Sequence, residues 1–422
     1  MPACYCAQTV NETPEPLFPE PVNPSSDPQR ETPDVYSTQM PAAPGLSTRH
    51  IAAAAGAGVV YLLMFILGGE FGAFAVTGLF AIPFVILAVL AYSAELKSRV
   101  ARALTMIYWF VVNSATALVA ILVTIAAIAL PALGPITEFD PAAVQAASEK
   151  FPTLEQGLRI LGAVLGLLIA GGISLACFLP AIRRKAAVLT NTDPHSFVHA
   201  TALATVMAVT LMCLIPLVAV GEPPLLPMLQ VDGGMALPPD DEQLRSTFYM
   251  LVWGFPAAFV AVGYPQRRTL REAQHRLGLE RPTLRQLVFS AVMVGALLLV
   301  MPLLGHGIEL LWKALGWPIT DEEAIKQLFS FTAGPIAAFI ASVVAGLGEE
   351  IVFRGVLQPR LGILLPALMF TSVHAFQYNF DALIQVFLLG VLFGLVRNRT
   401  NTTTSALIHF GYDFVLLTTT IE

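Results

Sequence analysis

The sequence predicts an all-α fold: a polytopic transmembrane helix bundle of about eleven spans behind a disordered N-terminal tail. Three observations carry that expectation. Hydrophobic residues fill 56% of the 422 positions and charged residues only 12%, whereas a soluble domain carries about 25% charged residues. Apolar runs of ~20 residues recur along most of the chain, each long enough to cross a hydrocarbon core of about 30 Å. The loops between those runs alternate in the sign of their charge.

Residues 1–48 are rich in Pro, Ser, Thr and Glu and lack hydrophobic periodicity. They cannot bury a core and are expected to be disordered. No basic start followed by an apolar run marks them as a signal peptide. Cys4 and Cys6 fall in this tail, whereas Cys177 and Cys213 lie in apolar stretches and read as small packed hydrophobes. No disulfide framework is implied.

Hydropathy then places spans at roughly 51–68, 73–94, 105–133, 160–179, 198–220, 247–264, 287–312, 332–357, 361–377, 383–397 and 402–420. Basic loops carry Lys97, Arg99 and Arg102, then Arg183, Arg184 and Lys185, then a run from Arg267 to Arg285. Acidic loops carry Glu138 and Asp140, then Asp240, Asp241 and Glu242, then Asp321, Glu322 and Glu323. Lys and Arg mark the cytoplasmic side. The alternation puts the N-terminus in the cytoplasm and the C-terminus outside, in a multi-pass protein of the cell membrane. The net charge of −6 argues against a nucleic-acid partner, which requires a concentrated basic surface.

Late in the chain, ionisable residues interrupt the apolar runs. Glu349, Glu350 and Arg354 fall within six positions, and His374, His409 and Asp413 follow. A charge at the bilayer centre costs about 2.5–3.5 kcal/mol even on the mild insertion scale, so such residues are functional candidates. In an α-helix Glu350 and Arg354 stand one turn apart and can pair. Glu349 then points about 100° away and is left for chemistry. Phe370 and His374 are also one turn apart, as are His409 and Asp413. A carboxylate at Asp413 can fix the His409 tautomer, or both can face one reaction centre.

Depth allows these groups to meet. By helical rise Glu349 lies about 12 Å, His409 about 10 Å and His374 roughly 15–20 Å from the cytoplasmic side. A carboxylate with two imidazoles suits activation of water for attack on an amide. Glu349 would take the proton with His374 beside it, and His409 and Asp413 would hold the oxyanion. The same four residues, Glu349, His374, His409 and Asp413, also suit a divalent metal such as zinc. Each motif alone has a structural reading: a register-fixing ion pair, a packed histidine, a helical His–Asp pair. His195 and His199, four apart, read as helix-entry residues rather than a metal pair.

Glu349-Glu350-x-x-x-Arg354, Phe370-x-x-x-His374 and His409-x-x-x-Asp413 together resemble the CPBP family, the CAAX-protease and bacteriocin-processing, or Abi, intramembrane proteases. The resemblance covers roughly 335–420. It implies a membrane endopeptidase opening to the cytoplasm, acting on a membrane-associated protein or peptide. Glu349 and His374 would be the water-activating pair, His409 and Asp413 the oxyanion groups, and Glu350, Arg354 and Phe370 their support. Many members have Asn where Asp413 stands, so Asp413 either stays protonated, orients His409 or ligates a metal. The expected organisation is a tail over 1–48, helices of unassigned role over 49–331 and catalytic helices over 332–422. The alternatives are a non-catalytic membrane scaffold or chaperone of the same fold, and a proton-coupled transporter.

Overall fold

The computed structural model describes residues 48–95, 99–133, 152–230 and 237–420. The N-terminal segment expected to be disordered, with Cys4 and Cys6, lies outside the described residues up to residue 47, as do Lys97, Glu138 and Asp140. Among the described residues every regular element is helical and none is a strand.

Helices occupy each of the eleven predicted segments, but fewer qualify as spans. Six are long and apolar enough to cross a membrane: Arg99–Pro131, Leu154–Ala176, Phe197–Val220, Leu284–Leu315, Pro335–Leu361 and Phe380–Arg399. Gly69–Gly78 and Ile82–Glu95, bent by 44° at their break, make a seventh if counted as one span. Gly56–Leu67 and Leu364–Phe376 are apolar but shorter. Asp240–Ala261 opens on three acids, and Thr402–Thr420 carries threonines, His409 and Asp413, so neither is among the six. Hydropathy reads a helix's composition; a polar helix sheathed by other helices lowers that score without leaving the bundle.

The outward faces suit a bilayer. Leu299, Val300, Leu303 and Leu310 of one helix and Leu161, Leu165, Leu168 and Ile169 of another are exposed. Soluble monomers rarely expose contiguous apolar surface on that scale.

Phe197–Val220 is the hub of the N-terminal half. It packs on Ile82–Glu95, Arg99–Leu133, Leu154–Ala176 and Leu364–Val373. Their shared core holds Trp109, Leu167, Leu203, Met212 and Cys177, so Cys177 does pack as a small hydrophobe. Ser196 caps the hub helix by accepting from the His199 amide, and Glu95 accepts from the Phe197 amide at 2.7 Å. His199 Nδ1 accepts from the Asp193 amide at 2.9 Å, which fits a helix-entry role.

Thr402–Thr420 plays the equivalent part in the C-terminal half. Around it stand Leu284–Leu315, Pro335–Val343, Val344–Glu349 and Phe380–Arg399. Ile408 and Tyr412 enter a core with Leu297, Met301 and Phe393. The short helix Leu270–Leu277 ties two of these parts together. Its Arg276 Nη1 donates to the Gly355 carbonyl at 2.8 Å. Burial, then the charges of Arg360, Arg268 and Arg397, pull that guanidinium down to about 9. Gly278 ends the helix at φ 72°, a conformation open to glycine, and a Cβ there would stand 2.8 Å from Thr402 Oγ1. The entry to the last helix therefore sits directly on this turn.

The predicted regular α-helix through Glu349 is not what forms. Pro335–Val343 is α-helical, but Val344–Glu349 and Ile351–Leu357 wind as π-helix. Such insertions are rare and are frequently found at functional sites. The wider winding means that the 100° offset expected between Glu349 and Glu350 does not carry over. Gly346 faces the last helix so closely that a Cβ would stand 2.7 Å from the Phe410 amide nitrogen and 2.8 Å from its Cα. The π segment is thus seated backbone to backbone against the helix that carries His409.

Candidate functional site

The residues from the three motifs form two layers. The lower layer is closed. Glu350 and Arg354 are buried, with Glu350 Oε1 3.2 Å from Arg354 Nη1. That contact is an ion pair without hydrogen-bond alignment, since Nη1 has no hydrogen-bond partner. The guanidinium's hydrogen bond runs from Nη2 to the Gly390 carbonyl at 3.2 Å. Three phenylalanines surround it, with the Phe370, Phe393 and Phe353 ring centres 4.7, 5.5 and 5.7 Å away. The aromatic faces attract the cation, an interaction that strengthens when the pair is desolvated.

Glu350 does more than pair with Arg354. Ser405 Oγ donates to its Oε2 at 2.6 Å, and His409 Nδ1 lies 3.2 Å from its Oε1. Phe393 stacks on the His409 ring at 4.7 Å and 26°. The His409 ring is therefore fixed by a carboxylate at one nitrogen and an aromatic face alongside.

The upper layer is accessible. Glu349 keeps 33% of its side chain exposed and Asp413 keeps 24%, whereas Glu350 is fully buried at 0%. His409 Nε2 lies 3.3 Å from Asp413 Oδ2 and 3.9 Å from Glu349 Oε2. Both His409 ring nitrogens therefore face carboxylates, Nδ1 towards Glu350 and Nε2 towards Asp413. His409 thus links the two layers. The spacing had assigned it to Asp413 alone.

His374 joins through Phe370 rather than through a carboxylate. Its Nδ1 lies 2.7 Å from the Phe370 carbonyl, which accepts, so Nδ1 carries a hydrogen. The Phe370 ring stands 4.9 Å from the His374 ring and 6.0 Å from that of His409. One phenylalanine therefore touches the arginine and both imidazoles.

The donors do not fit a metal centre as arranged. Among the described residues no group of three or more His, Cys, Asp or Glu side chains is placed to hold a metal ion. His409 has a carboxylate at each ring nitrogen, Glu350 Oε1 at 3.2 Å and Asp413 Oδ2 at 3.3 Å. Zinc ligands stand at about 2.0–2.3 Å.

Sequence reasoning missed Ser405, Phe393 and Gly390. Ser405 precedes His409 by four positions, so both fall on one helix face. Gly390 and Gly394, four apart, put two small residues on one helix face, which suits close helix packing. A Cβ at Gly390 would stand 3.1 Å from Phe370 Cδ1, and one at Gly394 2.7 Å from Ile363 Cγ2. They also present their carbonyls, Gly390 to Arg354 and Gly394 to Gln358 Nε2 at 2.7 Å.

Residues 331–415 match the family model described as Type II CAAX prenyl endopeptidase Rce1-like. That is a protease family, and the match agrees with the CPBP resemblance of the three motifs. The matched stretch contains Glu349, Glu350, Arg354, Phe370, His374, His409 and Asp413. No curated protein and no solved structure matches the chain.

Proposed function

We propose that the chain is an intramembrane endopeptidase that hydrolyses a peptide bond near the cytoplasmic face, with the water activated by Glu349. The observation that carries this reading is the division of the two adjacent glutamates. Glu350 is buried and spent on Arg354, Ser405 and His409. Glu349 is one third exposed and faces His409. A free carboxylate beside an imidazole, above a rigid charged floor, suits general-base catalysis.

In this mechanism the water oxygen attacks the scissile carbonyl carbon and gives a proton to Glu349. His374, with its hydrogen fixed on Nδ1, offers the Nε2 lone pair to orient that water. The oxyanion forms beside the His409 Nε2–H, which Asp413 holds in orientation. Asp413 is then a positioning residue, and of the three roles the resemblance left open this one fits its contact with Nε2. Collapse breaks the C–N bond as Glu349 returns the proton to the departing amine. No step draws on a metal ion.

The helices over 332–422 are the catalytic portion in this reading, and those over 49–331 frame it. The alternating loop charges support a cytoplasmic N-terminus and an outer C-terminus. The substrate is a membrane-associated peptide. The family description makes a prenylated CAAX peptide the first to test.

The test uses purified full-length protein, with Glu349→Gln and Glu349→Ala assayed against a panel of such peptides. Both variants should lose cleavage while remaining folded. Full proteolysis by both would overturn the assignment.

A further inference from the structure

Tyr378 follows His374 by one helical turn and belongs to none of the three motifs. Its backbone amide donates to the His374 carbonyl at 3.0 Å, which fixes the turn between them. The two rings lie parallel, 6.1 Å apart at 14°. The residue packs against the buried cluster of Leu217, Ala375 and Leu383. The next residue is also anchored: the Asn379 amide donates to Thr320 Oγ1 at 3.0 Å, and its side chain caps the following helix through the Phe380 amide at 2.8 Å. Tyr378 is held on both sides.

Its hydroxyl is not anchored in this way. Partly buried tyrosines usually find a partner for their hydroxyl. Tyr61 donates to the Ala75 carbonyl at 2.7 Å and Tyr92 to the Ala261 carbonyl at 3.1 Å. Like those of Tyr108, Tyr264 and Tyr412, the Tyr378 hydroxyl has no hydrogen-bond partner among the described residues, and it is not a sealed orphan atom. Tyr412 is closed into the core with Leu297, Phe393 and Ile408, whereas Tyr378 stacks beside His374 and so carries an unused O–H donor next to an imidazole of the site.

We propose that Tyr378 is a further catalytic residue, whose phenolic hydroxyl donates a hydrogen bond to the substrate carbonyl oxygen as it becomes an oxyanion. This rests on the endopeptidase reading. The chemistry needs only a neutral phenol, which is the ordinary state of tyrosine at physiological pH. A donor fixed in advance, with no protein acceptor to give up, stabilises charge that develops in the transition state without reorganisation. With His409 Nε2–H it gives the oxyanion two donors, one from the turn before Phe380–Arg399 and one from the last helix. Because tetrahedral charge develops only during the reaction, the contribution falls on kcat rather than on KM.

The test is Tyr378→Phe, which keeps the ring, its packing and its stack on His374 while removing the hydroxyl. Loss of one oxyanion donor costs about 10²–10³ in kcat, so a drop of that order with little change in KM is expected. A peptidyl phosphonamidate, a tetrahedral mimic, should bind the variant more weakly by a similar factor, while the uncleaved peptide binds as before. Equal loss of affinity for both ligands would mean a structural role and overturn the proposal. So would wild-type turnover by Tyr378→Phe. Glu349→Gln is run alongside. If it is inactive while Tyr378→Phe is fully active, only the tyrosine proposal falls; if both are fully active, the endopeptidase reading falls with it.

Discussion

Glu350 Oε1 lies 3.2 Å from His409 Nδ1, a contact between two helices whose residues are 59 positions apart. The same oxygen lies 3.2 Å from Arg354 Nη1. One buried carboxylate thus fixes a cation on its own helix and an imidazole on another. Removing one partner of a buried pair is strongly destabilising, because the other is left uncompensated.

Glu350→Gln should therefore lose about 3–5 kcal/mol of stability, and Arg354→Ala a similar amount. Thermal or denaturant unfolding in detergent measures both. Glu349→Gln, at the accessible neighbour, should melt close to the wild type. Equal losses at 349 and 350 would contradict the division into a structural and a free glutamate.

Ser405 supplies a separate handle on the same carboxylate. Its hydroxyl donates to Glu350 Oε2 at 2.6 Å in a buried setting. Hydrogen bonds to charged groups contribute about 1.5–3 kcal/mol. Ser405→Ala should be less stable by about that amount, and Ser405→Thr, which keeps the hydroxyl, should recover part of it. Activity should fall less steeply than stability, because Arg354 and His409 still hold Glu350. An unchanged melting temperature in Ser405→Ala would remove Ser405 from the charged floor.

Asp413 is tested by its isostere. Asp413 Oδ2 lies 3.3 Å from His409 Nε2. Asn at this position keeps an oxygen acceptor for the ring N–H, whereas Ala keeps nothing. If Asp413 acts through His409, Asp413→Asn should retain much more activity than Asp413→Ala, and the difference should lie in kcat. Equal inactivity of the two would require the charge itself and so contradict a positioning role.

Much of this site was legible from spacing because its pairs are local. Glu350 with Arg354, Phe370 with His374 and His409 with Asp413 are each four apart, and four apart on a helix means one face. The contacts between motifs were not legible. Nothing local links Glu350 to His409 or Ser405, since those meetings depend on how Thr402–Thr420 seats against the π segment. The π winding itself was hidden, because residue preferences do not distinguish it from an α-helix over so short a stretch. Thr402–Thr420, predicted as a span, falls outside the six on hydropathy because of its threonines, His409 and Asp413, yet Ser405 and His409 meet Glu350 inside the bundle.

The close seat at Gly346 makes the last prediction. In an ordinary helix interior, Gly to Ala stabilises by roughly 0.5–1 kcal/mol. Here a Cβ would meet backbone atoms of Phe410 at 2.7 and 2.8 Å, and backbone cannot swing aside. One of the two helices must move. Forcing an extra group into a packed contact costs about 1–3 kcal/mol, so the usual sign is reversed. Phe410 adjoins His409, so the displacement also lengthens the contacts of His409 with Glu350 and Glu349. Gly346→Ala should lose both stability and activity, whereas Gly157→Ala, at a helical glycine with nothing within 4 Å, should lose neither. A stabilised and fully active Gly346→Ala protein would show that the last helix does not depend on this seat.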